Sequence, residues 1–89
     1  MSITLKNKKI VISAGGSGIG WSSAKIFLDK GATVYLCDIN SKFIDRCKKH
    51  NLINRKLFAF HCDASDENQV KNFYNQIIKK TKKIDALIN

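Results

Sequence analysis

Residues 9–20, Lys-Ile-Val-Ile-Ser-Ala-Gly-Gly-Ser-Gly-Ile-Gly, set a β-branched apolar run directly against a cluster of glycines, and an amphipathic stretch begins immediately afterwards. β-Branched residues favour a buried strand, glycines permit a tight turn, and a helix start presents unpaired N–H groups, so the segment reads as strand, phosphate turn and helix. Eighteen residues beyond Gly20, at the end of a second apolar run, stands Asp38. A carboxylate there can accept hydrogen bonds from the two hydroxyls of an adenosine ribose, and the chain reads as a dinucleotide binder.

Working outward, Ile19, Ala24, Phe27 and Leu28 recur at helical spacing to about Lys30, and Gly31 is placed to close that helix in a left-handed conformation. Residues 32–37 form a second short strand, and Asp38-Ile39-Asn40-Ser41 supplies turn and cap chemistry. A weakly apolar helix is expected over 42–50, with Phe43, Ile44 and Cys47 inward, then a polar connection over 51–56. Residues 57–62 read as a third strand ending at Asp63. Ser65 offers an N-cap for the next helix, with Asp66 and Glu67 in its first turn, where the helix dipole favours negative charge. Val70, Phe73, Tyr74, Ile77 and Ile78 mark the inner face of that helix, and residues 84–89 give a fourth strand.

Apolar strands alternating with helices imply an α/β fold, a Rossmann-type parallel sheet with helices on both faces. Right-handed crossovers with a reversal after the third strand give the order 3-2-1-4. The glycine turn then faces the crevice beside strand one, and Asp38 and Asp63 share its carboxyl-terminal edge.

Eighty-nine residues suffice for one domain or part of one. The net charge of +9 invites a nucleic-acid reading, but the lysines cluster at predicted helix ends and connections, without interleaved aromatic residues to stack bases. Cys37, Cys47 and Cys62 show no metal-ligand spacing, and an odd count suits a reducing compartment. They are expected as small buried hydrophobes and Trp21 at a helix surface, while His50 and His61 have no partner pattern. No apolar run approaches the roughly 18 residues of a membrane span, so the cytoplasm is the expected location.

The spacing of the glycines excludes a P-loop, because Trp21 and Ser22 follow Gly20 where a lysine and a hydroxyl residue are required. GxGxxG fails as well, since the third glycine would fall at Trp21. The segment Ser13-Ala14-Gly15-Gly16-Ser17-Gly18-Ile19-Gly20 instead resembles the Thr-Gly-x-x-x-Gly-Ile-Gly pattern of the short-chain dehydrogenase/reductase family, with Ser13 for Thr and Ala14 for the first glycine. Three further segments share the resemblance: Asp38, the Asp63-Ala64 pair, and Asp85-Ala-Leu-Ile-Asn89, which is similar to the opening of that family's Asp-Ile-Leu-Val-Asn-Asn-Ala-Gly strand.

The resemblance covers essentially the whole chain and implies the N-terminal part of a single NAD(P)-binding domain, residues 1–89, truncated after its fourth strand. It implies that Ser13, Gly15, Gly16, Ser17, Gly18, Ile19 and Gly20 surround the pyrophosphate, that Asp38 accepts from the ribose, and that Asp63 and Ala64 contact adenine. NAD is implied in preference to NADP: the Asp38 carboxylate repels a 2′-phosphate, and neither Ser17 nor Ile39 is an arginine. The family's catalytic Ser and Tyr-x-x-x-Lys have no counterpart here, because Ile39 and Ile78 follow four residues after Tyr35 and Tyr74. No catalytic or metal-binding residue is therefore assigned, and an alcohol or carbonyl substrate and a homo-oligomer are expectations for a full-length form. The competing readings are a non-catalytic nucleotide-binding or interaction module, and a basic nucleic-acid binder.

An open fourth strand carrying apolar Ala86, Leu87 and Ile88 invites association. The 89-residue chain is expected to be marginally stable or oligomeric, and a sharp monomeric melt above about 55 °C would contradict this.

Overall fold

The structure is a computed structural model and describes residues 3–13, 18–54 and 56–88. Among them the elements alternate as β1 (Lys9–Ser13), α1 (Gly18–Asp29), β2 (Thr33–Asp38), α2 (Ser41–Asn54), β3 (Leu57–His61), α3 (Glu67–Lys80) and β4 (Ala86–Ile88). Every strand pair is parallel and the order is β3-β2-β1-β4, the topology expected from the alternation of strands and helices. The register sets Val11 beside both Tyr35 and Leu87, and Asp38 beside His61.

The apolar runs of β1 and β2 are continuous because both faces are covered. Ile10, Ile12, Val34 and Leu36 meet Ala24 and Leu28 of α1 and Phe43, Ile44 and Cys47 of α2. Val11, Tyr35 and Cys37 alternate to the opposite face, against Phe73 and Ile77 of α3. Each Val, Leu, Ile or Phe among them removed from water contributes about 1.5–3 kcal/mol, which helps to offset the entropy of ordering the chain. Aromatic contacts extend the second core, with Tyr35 stacked on Phe58 and Phe60 edge-on to Phe73.

Helix α1 ends as its sequence predicts: Gly31 takes φ +97°, its N–H donates to the Leu28 carbonyl and that of Ala32 donates to Phe27. This paired closure satisfies two carbonyls that the helix leaves open.

Several expectations are corrected. The N-cap of α3 is Asp66, whose carboxylate accepts from the N–H groups of Asn68 and Gln69. Ser65 is drawn away from that role because its hydroxyl and N–H both donate to Asp63. Helix α2 runs on to Asn54, through residues expected as connection: no glycine or proline interrupts it, and Asn51 accepts from the Leu57 N–H at the start of β3. Trp21 is half-buried, edge-on to Phe43 and His50, so it belongs to the seam between α1 and α2. Strand β3 ends at His61, although the Cys62 N–H still donates to the Asp38 carbonyl, and β4 is shorter than the expected 84–89. Asn89 lies outside the described residues.

At the entry to β4, Asp85 and Lys9 form a reciprocal pair. The Lys9 N–H donates to Asp85 Oδ2 at 2.8 Å, and the Asp85 N–H donates to the Lys9 carbonyl at 2.8 Å. Lys83 Nζ lies 3.2 Å from Asp85 Oδ1. Among the described residues no charged side chain is buried, no strand pairs with the outer edge of β4, and no helix is long and apolar enough to cross a membrane.

The Lys9 N–H and the Lys83 ammonium hold the Asp85 carboxyl below its ordinary value near 3.8. A depressed folded-state value means that this contribution to stability is complete above about pH 4 and is lost as pH falls through the folded value. Asp85→Ala is expected to lower the melting temperature at pH 7 and to flatten the acid limb of the stability curve. Wild type and variant melting with the same pH dependence between about pH 2 and 5 would overturn this role for Asp85.

Candidate functional site

The carboxyl ends of parallel strands collect on one edge of a sheet, and here they bring together the start of α1, the end of β2 and the end of β3. Asp38 closes β2 and Asp63 follows β3. Together with Ile39, Cys62, Ala64 and Ser65 they line one cleft of about 210 Å³. A whole ligand pocket is usually larger, roughly 300–1,000 Å³, so this cleft suits one portion of an extended ligand.

Asp38 Oδ1 accepts from the Asn40 N–H at 2.8 Å, closing an Asx turn, while Asn40 itself caps α2 through the Phe43 N–H. Asp38 is thus not the helix cap, and among the described residues its second oxygen has no partner. Asp63 Oδ1 accepts from the Ser65 hydroxyl at 2.7 Å and from the Ser65 N–H at 2.9 Å, which together hold its carboxyl below the ordinary carboxylate range. Gln69 ties this loop to α3, accepting from the Asp63 N–H and donating to Asp66. The cleft therefore carries two carboxylates, which recognise hydroxyl or amino donors and repel anions.

The helix starts differ. The first turn of α3 holds Glu67 and is closed by Asp66, whereas the first turn of α1 holds no acidic side chain. Gly18, its first residue, takes φ +55°, and a Cβ there would meet nothing within 4 Å. A helix start without acidic side chains favours an anion.

Of the residues singled out from the sequence, Asp38, Asp63 and Ala64 share the cleft, Ser13 ends β1, and Gly18, Ile19 and Gly20 begin α1. Gly15, Gly16 and Ser17 lie outside the described residues. No local pattern signals a partner for His61, yet its Nε2 stands 2.8 Å from the Ile39 carbonyl oxygen beside Asp38. Nor did spacing reveal that the buried thiols of Cys37, in β2, and Cys62, just past β3, are close enough for Cys37 to help raise the Cys62 thiol. Among the described residues no cluster of metal-ligating side chains occurs.

The family model for the short chain dehydrogenase matches residues 8–89. The uncharacterized oxidoreductase YxbG of Bacillus subtilis (strain 168) is 38% identical over 89 residues, covering 96% of this chain and 32% of that protein. Meso-2,3-butanediol dehydrogenase of Serratia marcescens is 34% identical, covering 93% and 33%. Among solved structures, 3-ketoacyl-(acyl-carrier-protein) reductase of Brucella melitensis, complexed with NADH, is similar with a TM-score of 0.83 at 29% identity, covering 94% of this chain and 34% of that one. A hydroxysteroid dehydrogenase from Escherichia coli gives a TM-score of 0.85 at 30% identity, covering 97% and 36%. The chain spans about a third of the length of the relatives it matches.

Burial raises the Cys62 thiol to about 11, helped by Cys37 and by the carboxylates of Asp63 and Asp66, and burial likewise raises Cys47 to about 11. At pH 8 only about one in a thousand of either is thiolate, the reactive form. Ellman's reagent is expected to label the native chain slowly and to titrate all three thiols in urea. Rapid stoichiometric labelling of Cys62 in native buffer would show that the strand ends are open to solvent.

Proposed function

Because the chain belongs to the short-chain dehydrogenase family, we propose that it is the dinucleotide-binding part of an oxidoreductase that transfers hydride between a nicotinamide cofactor and an alcohol or carbonyl compound. The observation that carries this reading is the meeting of Asp38 and Asp63 in one cleft, on the same sheet edge as an α1 start that holds no acidic side chain. A ligand matched to both parts has hydroxyl and amino donors at one end and phosphate next to them, as the adenosine half of a dinucleotide does.

In this reading the main-chain groups from Ser13 through Gly15, Gly16, Ser17, Gly18, Ile19 and Gly20 hold the pyrophosphate. That a Cβ on Gly18 would meet nothing within 4 Å supports a close approach at that glycine. The second Asp38 oxygen accepts from the ribose hydroxyls, and Asp63 with Ala64 borders the adenine. NAD is preferred over NADP, because a 2′-phosphate would stand against the Asp38 carboxylate with no arginine at Ser17 or Ile39 to neutralise it. When bound, the nicotinamide ring supplies the carbon that gives or takes hydride. The residues that choose the substrate and move the proton are assigned to sequence beyond these 89 residues, as are the oligomeric contacts. The cytoplasm fits the odd cysteine count, all three thiols being free.

NADH fluorescence titration of the 89-residue chain tests the reading. Binding is expected, with weaker affinity for NADPH, and Asp38→Ala is expected to weaken NADH at least about tenfold, the scale of one hydrogen bond to a charged group. No binding at millimolar NADH would overturn the proposal, and steeply salt-dependent DNA binding indifferent to Asp38→Ala would favour a nucleic-acid role.

A further inference from the structure

We infer that His61 is a positioning residue that aims the Asp38 carboxylate into the cleft, an inference resting on the nucleotide reading above. The Ile39 carbonyl and the Asn40 N–H belong to one planar peptide unit, with oxygen and hydrogen pointing in opposite directions. Asp38 Oδ1 holds the N–H end of that unit at 2.8 Å, and His61 Nε2 holds the carbonyl end at 2.8 Å. A carbonyl only accepts, so Nε2 carries the proton and the imidazole donates. With both ends engaged the peptide plane cannot rotate, and the Asp38 oxygen bound to its N–H is held too. The other carboxylate oxygen is thereby left directed to a ligand.

The remaining bonds at this corner do not duplicate that function. Asn40 Oδ1 accepts from Phe43 and fixes the start of α2, and the Cys62 N–H donates to the carbonyl of Asp38 itself. Among the described residues His61 is the one side chain from another element that grips the turn. The register explains why it reaches: His61 is the β3 partner of Asp38, so its side chain stands one residue short of the peptide that follows. Both His61 and Ile39 are exposed, so core packing does not require the imidazole.

The experiment compares the wild-type chain with His61→Ala and His61→Gln, whose amide can donate in place of the imidazole. His61→Ala is expected to speed hydrogen exchange at the Asn40 amide and to weaken NADH and 5′-AMP about fivefold, the scale of one lost hydrogen bond. Affinity for nicotinamide mononucleotide and the melting temperature should not move, and His61→Gln should restore most of the loss. Imidazole nitrogen shifts should show the proton on Nε2. Equal NADH affinity of wild type and His61→Ala would overturn this inference alone, as would uniform weakening of both half-ligands. No NADH binding by the wild-type chain would overturn the functional reading and this inference together.

Discussion

The structure depends on β1 being paired in parallel on both sides, to β2 and to β4. Parallel neighbours cannot be joined by a tight turn, so each connection crosses over a sheet face, and right-handed crossovers lay helices on that face. After β3 the chain passes to the other side of β1, which puts α1 and α2 on one face and α3 on the opposite one. At such a reversal the flanking connections diverge, and the cleft on this edge lies at the ends of β2 and β3. The start of α1, Asp38 and Asp63 are distant in sequence, and this single constraint delivers all three to one edge.

Within that edge, charge divides the work. The start of α3 neutralises itself through Asp66 and Glu67, and its first amides are occupied. The start of α1 carries no acid, while the adjacent cleft carries two carboxylates. On the proposed reading, a phosphate is drawn to one part and kept from the other, whereas hydroxyl and amino donors are drawn to the cleft. In that proposal, a molecule containing both groups lies across the edge in one direction.

Much of this architecture was legible because it follows from period and backbone chemistry. The alternation Ile10-Val11-Ile12 says that both faces of a strand are covered, Gly31 marks a left-handed helix end, and Val70, Phe73, Tyr74 and Ile77 trace a helix face. Family membership followed from four segments in the right order. What stayed hidden depended on competition between neighbours. Ser65 and Asp66 are both good caps, and the choice fell to Asp66 because Ser65 is held by Asp63. The extent of α2 was obscured by weak apolar patterning, and the bond from the Leu57 N–H to Asn51, which ties the helix to the start of β3, joins residues six apart that no local period pairs. His61 was silent because its role needs the register of β2 on β3, which no local pattern encodes.

The same dependence on register links the sheet to the site. Strand β1 carries the glycine segment at its carboxyl end, and the Asp85 clamp grips its first residue, Lys9, from the entry to β4. Because parallel pairing is set by main-chain bonds along the whole strand, fixing Lys9 against Asp85 also fixes Ile12 against Ile88 and hence where β1 releases the chain. On the other side, Thr33 pairs with Lys9 and Cys37 with Ser13, so the end of β2 is fixed by the same strand. Asp38 and the start of α1 are therefore not adjusted independently. A slip of one residue at β1 would exchange the faces of Ile10 and Val11 and shift the start of α1 relative to Asp38, so core packing and the arrangement of this edge depend on the same register.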